Sequence, residues 1–370
     1  MSSIRNKVFS LACLLMAVSS LLVGAYPSSG MEKKKQVIVV SLPGESDGQY
    51  YEYLRDIVKF FIEMDEKTNG RDHLFIIHDK SGRWYLNRHE FKNAHLIEVD
   101  QYLDLWMRDS PPTMPKLQIK FKYRPGYIKS SEAKRVTQAF EKFATQVGLP
   151  SLEHCNLVLE GGNIVENGVD CAVVTDRVFK ENKGKSEDNV VKALESAIKR
   201  KVVFTPDPED STGHSDGTVS FVEKDVLLIA SYPDPDGQEY LHEVENEVKK
   251  ECPSIQAIPL PCYMVNKKYR GFTSAEGSYA NSLVTYNAVY LPFFSNQTSN
   301  QKAFDVFKSS TDKEVVPVHS AGKLAVLGGS IRCLTWQIDQ DHPVAQSLFR
   351  YIEGSGDDGQ DNDDGSENEN

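Results

Sequence analysis

Basic residues are in short supply in this 370-residue chain. Lys and Arg number 42 against 53 Asp and Glu, for a formal net charge of −11. Nucleic-acid binding needs a basic face, so this balance argues against such a partner. Long apolar runs are also scarce. Only Val8 to Val23 approaches the roughly 20 apolar residues of a spanning helix. Cysteines number six, and none of their spacings matches a zinc site. No Gly- or Pro-rich linker interrupts the body, so residues 26–352 read as one domain. Residues 353–370 lack any apolar or basic residue, which predicts a disordered acidic tail. Its eight acids supply −8, and Arg5 and Lys7 supply +2, leaving the body at about −5. A cationic substrate suits that charge.

Arg5 and Lys7 precede the apolar stretch, and Val23-Gly24-Ala25 offers small residues for cleavage. Residues 1–25 therefore read as a signal peptide, with a retained anchor as the alternative. The mature protein is expected outside the cytoplasm and off the membrane. Five cysteines remain after cleavage, so at least one thiol is free. Cys155/Cys171 and Cys252/Cys262 would close short loops, leaving Cys333 as the odd one. Asn296-Gln297-Thr298 is a glycosylation acceptor.

The body alternates strand and helix signals. Gln36 to Leu42 reads as a buried strand and Tyr51 to Met64 as a helix with one apolar face. Strands are expected at 74–77, 96–99, 117–123, 156–160, 171–175, 202–205, 255–260 and 314–318. Strand pairs are expected within 218–231 and 282–294. Helices are expected at 131–147, 187–200, 238–250 and 301–308. Leu324 to Leu327 and Ile331 to Trp336 close the body as strands. The recurring unit is strand, strand, helix, strand, in four or five copies. Such units can close on themselves like a propeller. The fold class is α/β.

Five short segments near strand ends carry chemistry. Trp106-Met107-Arg108-Asp109 before Pro111-Pro112 offers an aromatic face and a carboxylate, which suit a planar cation. Glu160-Gly161-Gly162 places a carboxylate before a turn. His214-Ser215-Asp216 follows Asp210 and offers an acid/base group beside an anion, or two metal ligands. Ser278-Tyr279-Ala280-Asn281 offers a polar side chain. Gly328-Gly329-Ser330-Ile331-Arg332-Cys333 places a thiol after a Gly-Gly turn. Taken singly, each segment is compatible with a turn, a cap or a core residue.

In this order the segments resemble the motifs of the guanidino-group-modifying, or pentein, superfamily. They are most similar to the agmatine deiminases and porphyromonas-type peptidylarginine deiminases, over about residues 36–338. The resemblance implies a single-domain five-bladed α/β propeller, Cys333 as nucleophile and His214 as general acid/base. It implies Asp109 and Asp216 as the guanidinium grip, Trp106 as a pocket wall, and Glu160, Asp210 and Asn281 as further substrate contacts. Arg124, in an Arg-Pro segment, resembles a reader of a substrate carboxylate. No metal or organic cofactor is implied. The sequence departs from the motifs at Pro111, Ser330 and Arg332, where Gly, Asn or Gly, and His are usual. On a strand, Arg332 would face away from Cys333. The implied reaction hydrolyses a guanidinium to a ureido group and ammonia, on agmatine or peptidyl-arginine. An inactive binding protein, or an amidinotransferase that passes the same thiouronium to an amine, is the alternative.

Overall fold

β1 (Gln36–Ser41) is buried at every position. A parallel strand covered on both faces reads as such a continuous apolar run. It pairs in parallel with β2 (His73–Asp79), and β2 with β3 (Ala94–Val99). The crossover between β1 and β2 contains α1 (Leu54–Thr68), which buries Leu54, Ile57, Val58, Phe61 and Met64 at helical spacing. Burying a side chain such as Phe61 contributes roughly 2–3 kcal/mol. The structure, a computed structural model, describes residues 34–45, 47–208 and 212–355.

The same unit recurs along the chain. β4 (Ile119–Lys122), α2 (Ser130–Gln146) and β5 (Glu153–Val158) form the second. β6 (Val165–Glu166), β7 (Cys171–Thr175), α3 (Glu187–Ile198) and β8 (Lys201–Thr205) form the third. β9 (Val219–Glu223), β10 (Val226–Ser231), α4 (Pro235–Glu251) and β11 (Gln256–Pro261) form the fourth. A hairpin, β12 (Lys268–Tyr269) and β13 (Phe272–Thr273), precedes the fifth. That fifth unit is β14 (Leu283–Val284), β15 (Ala288–Pro292), α5 (Gln297–Ser310) and β16 (Glu314–Val318). β17 (Trp336–Asp339) then pairs antiparallel with β1, and α6 (Pro343–Ser355) ends the described chain. Local sequence starts these helices. The side chains of Ser186, Asp234 and Asn296 accept backbone N–H groups of α3, α4 and α5, and Pro235 opens α4.

β6, β9 and β14 each add an antiparallel strand to a parallel pair, and β17 adds one to the three parallel strands β1, β2 and β3. These four antiparallel strands approach one another. Ser220 Oγ lies 3.5 Å from Ser282 Oγ, and Gln337 Nε2 donates to the Val284 carbonyl at 2.7 Å. The sheets built on helix crossovers fit the five-bladed arrangement that the resemblance implies.

The structure corrects the sequence reading at the end of the body. Leu324 to Leu327 lies in a helical turn (Ala321–Leu324) and a 3-10 turn (Ala325–Leu327), and turns continue to Thr335. Leu324, Leu327, Ile331 and Leu334 all enter one core cluster. Their spacing of three and four residues is helical, and a strand would have turned half of them outward. The cysteine pairing is corrected too. The bond is Cys171–Cys252, while Cys155 and Cys262 are buried and free. Alternation along β7 sends Cys171 to the face that packs on Cys252, whereas Cys155 packs with Ala172 and Val174 on the other. α6 runs three residues past the expected boundary at 352. The expected signal peptide and the rest of the expected tail lie outside the described residues. Among the described residues, no helix is long and apolar enough to cross a membrane.

Candidate active site

Cys333 stands in the turn before β17, and three neighbours fix it. Asn281 Nδ2 donates to its Sγ at 3.0 Å, and Asn281 Oδ1 accepts the backbone N–H groups of Cys333 and Ser330. The backbone N–H of Arg108 donates to the Cys333 carbonyl at 3.2 Å. Across the cavity, Asp216 Oδ2 lies 3.7 Å from Sγ. His214 precedes a 3-10 turn, Ser215–Gly217, and the turn brings the side chains of His214 and Asp216 to one cavity.

Beside them, His214 Nε2 is 3.1 Å from Glu160 Oε2, and its Nδ1 is 3.8 Å from Asp109 Oδ1. Asp109 Oδ1 also accepts the Gly162 N–H at 3.0 Å. The Gly161-Gly162 pair is explained by this approach. A Cβ on Gly162 would collide with His214 Nδ1 and Asp109 Oδ1, and one on Gly161 with the Arg108 carbonyl. Tyr127 OH donates to Glu160. Gly329 packs equally tightly against Trp106 and Cys333, where a side chain would clash with both. Trp106 Nε1 donates to Tyr50 OH at 2.9 Å, which fixes the indole.

Burial governs the ionisation of this group. It pushes the Cys333 thiol well above its usual range, and the carboxylates of Asp216 and Asp109 push it further. Burial also raises Asp109, to about 7, although the His214 charge opposes the rise. For His214, burial alone would favour the neutral ring. The carboxylates of Glu160 and Asp109 outweigh it and lift the imidazole to about 10. His214 therefore holds a proton at neutral pH, ready to donate. Asp109, Glu160 and His214 also have ligand atoms within 4.8 Å of one another, a spacing that suits a metal ion. Both ring nitrogens already face a carboxylate, so an imidazolium satisfies the same geometry.

The cavity has a volume of about 270 Å³. Trp106, Asp109, His214, Asp216, Asn281 and Cys333 line it, and Glu160 stands behind His214. Arg124 does not line it. It is exposed and lines a neighbouring open cleft with Lys122, Lys134, Lys183 and Lys185. Asp210 lies outside the described residues. Asn281, expected as a substrate contact, lines the cavity and also bonds the thiol. Arg332 turns toward the site rather than away, because it lies on a turn. Its Nη1 pairs with Asp216 Oδ2 at 2.7 Å, and its Nη2 donates to the Ile164 carbonyl at 2.6 Å. The sequence reading missed Asp104, Tyr50 and Tyr127. Asp104 stands two residues before Trp106, but no spacing rule singled it out. Including Asp47, Asp104, Glu132 and Glu276, six carboxylates line the cavity among the described residues, and no Lys or Arg does.

Residues 30–339 match the family model of Porphyromonas-type peptidyl-arginine deiminase. A Selenomonas ruminantium protein named as an agmatine deiminase is 23% identical over 334 residues, covering 76% of this chain and 88% of that protein. The fold matches that of the C. jejuni agmatine deiminase, with a TM-score of 0.68 at 18% identity, covering 83% of this chain and 94% of that one. A Porphyromonas gingivalis protein named as an arginine deiminase has a TM-score of 0.63 at 18% identity, covering 84% and 97%.

Proposed function

Because this chain belongs to the Porphyromonas-type peptidyl-arginine deiminase family, we propose that it hydrolyses a small guanidinium with a second cationic end, agmatine in type, to a ureido product and ammonia. The lining of the cavity carries this reading. Six carboxylates without a Lys or Arg offer nothing to a substrate carboxylate and favour an amine. Asp104, half-buried in the same lining and raised by desolvation to about 6, still ionises at neutral pH and suits that amine.

In this reading, Asp109 and Asp216 hold the guanidinium in its plane beside Sγ. The thiol is protonated in the empty site; the arriving cation lowers its pKa, its proton passes to solvent, and the thiolate takes a proton back when the product leaves. The thiolate adds to the central carbon and gives a neutral tetrahedral adduct. His214 protonates one amino group, which leaves as ammonia, and a cationic S-alkyl thiouronium remains. Water then adds to that carbon while the now neutral His214 takes a proton. Collapse breaks the C–S bond, frees the ureido product and returns the thiolate. The released proton completes ammonium.

A peptide ending in arginine is the second reading. The basic cleft around Arg124 favours it, since that cleft shares Tyr123 with the catalytic cavity. Export of the chain is part of the proposal, and the Cys171–Cys252 bond supports an oxidising compartment.

The test measures ammonia and ureido product from agmatine, free arginine and a peptide ending in arginine, without added amine. Cys333→Ala serves as the blank. Agmatine is expected to turn over best. Asp104→Asn should raise its KM about tenfold with a smaller effect on kcat. Faster turnover of the peptide would replace the first reading with the second. No turnover of any would leave a binding protein, and ammonia release only with an added amine an amidinotransferase.

A further inference from the structure

A second cavity, of about 210 Å³, lies along the inner strands β6, β9, β14 and β17. It opens where the parallel strands begin, at Gln36, Lys313 and the turns before β7 and β10. The catalytic cavity instead includes residues beyond the far ends of β1, β8, β10 and β11. The Arg332–Asp216 pair separates the two, with Arg332 lining one cavity and Asp216 the other.

The walls of this second cavity include a buried cation. Arg108 is 4% exposed, and its Nη2 is buried without a hydrogen-bond partner. Its Nε donates only to the Arg332 carbonyl, at 3.2 Å. Burial and the neighbouring Arg332 charge together lower the Arg108 pKa to about 9. Two guanidinium groups thus meet beneath the active site, and one has an unused donor. A buried donor left unmade costs free energy, and a charged one costs more. The carboxylates that line the cavity are already engaged. Glu166 pairs with Arg200 at 3.1 Å and Glu223 with Lys313 at 2.7 Å. Lys116 adds a further positive charge to the lining.

We propose that this cavity binds a small oxyanion, a carboxylate or inorganic phosphate, between Arg108 Nη2 and Arg332, and that it couples positively to substrate. The site itself stands on geometry alone, and the coupling rests on the deimination reading. A guanidinium gripped by Asp216 must share that carboxylate with Arg332. The two cations repel each other across it, and Arg108 adds to the repulsion. A negative charge below offsets both arginines, so the anion strengthens binding of the cation above. By linkage, substrate strengthens binding of the anion equally.

Calorimetric titration of the full chain with inorganic phosphate, in a chloride-free zwitterionic buffer, tests this. One phosphate per chain is expected. Arg332→Gln should weaken it about ten- to hundredfold, the loss of one charged hydrogen bond. Should that variant fail to fold, Lys116→Ala is expected to weaken binding severalfold in a folded protein. Crystals grown with phosphate should show it at Arg108 Nη2. Phosphate should lower the KM for agmatine with kcat unchanged. Cys333→Ala should still bind phosphate, so binding by a protein inert toward every guanidine would uphold the site and sink only the deimination reading. Absence of binding, affinity unaffected by either variant, or phosphate that competes with agmatine would each overturn the proposal.

Discussion

The side chain of Asn281 holds Cys333 at both ends. Its amide donates to the sulfur at 3.0 Å, and its carbonyl oxygen takes the backbone N–H at 3.3 Å. One residue thereby fixes the nucleophile in place and offsets part of the burial that disfavours its thiolate. Asn281→Ala is expected to lower kcat about tenfold to a hundredfold, the loss of one hydrogen bond to a charged sulfur. The KM should move less. Thiol alkylation at fixed pH provides a second readout, and the variant should react more slowly at Cys333. A variant with unchanged kcat and alkylation rate would make Asn281 only a loop support.

The imidazolium at His214 sets a pH dependence. In the proposed reaction Asp109 must ionise to hold the guanidinium, and its pKa is pushed up to about 7 by burial. His214 must keep its proton to expel ammonia, and the flanking carboxylates lift it to about 10 against burial. kcat/KM should therefore rise with pH as Asp109 and then the raised Cys333 thiol ionise, and fall as His214 loses its proton, the steps belonging to the coupled group. Glu160→Gln removes the largest force raising His214. Its alkaline limb should move down by about one pH unit or more. A limb that stays put would exclude His214 as the group titrating there.

The Cys171–Cys252 bond joins residues 81 apart in sequence, from the third unit to the end of α4 in the fourth. Closing a loop of that length removes roughly 4 kcal/mol of chain entropy from the unfolded state. Cys252→Ser should lower the Tm by about 6 °C for a chain of this size. Peptide mapping without reductant should recover a 171–252 link. Recovery of a 155–171 link instead would restore the short-loop pairing expected from sequence.

Much of the fold was legible in the sequence because the parallel strands are covered on both faces. Val37 to Val40, Cys171 to Thr175 and Val315 to Val318 advertise themselves as runs, and the intervening helices by their apolar faces. The stretch 324–335 was not legible. A short apolar run reads alike as strand or helical turn, and only the shared core of Leu327 and Ile331 decides between them. The placement of Arg332 failed for the same reason, since its predicted direction depended on a strand. In the site, Asp109, His214, Asp216 and Cys333 came from ordered motifs. Tyr127 and Asp104 did not, because their role arises from distant chain segments meeting. Cysteine pairing was misread because it follows from which face of β7 each neighbour covers, not from loop length.

The pairing of β1 with β17 has a consequence for how the protein comes into being. Gln36 opens the described body, and its strand waits for Asp339, near the end, to complete the sheet. Cys333 is supplied by that same closing segment. During synthesis, the acids and the histidine leave the ribosome long before the thiol does. The proposed site is therefore incomplete until the closing segment has been made. Proteolytic loss of the last strand would uncover the edge of β1, while Asn281 and Arg108 would still bond Cys333. The order of the chain therefore places assembly of the proposed site last, together with completion of the β1 sheet.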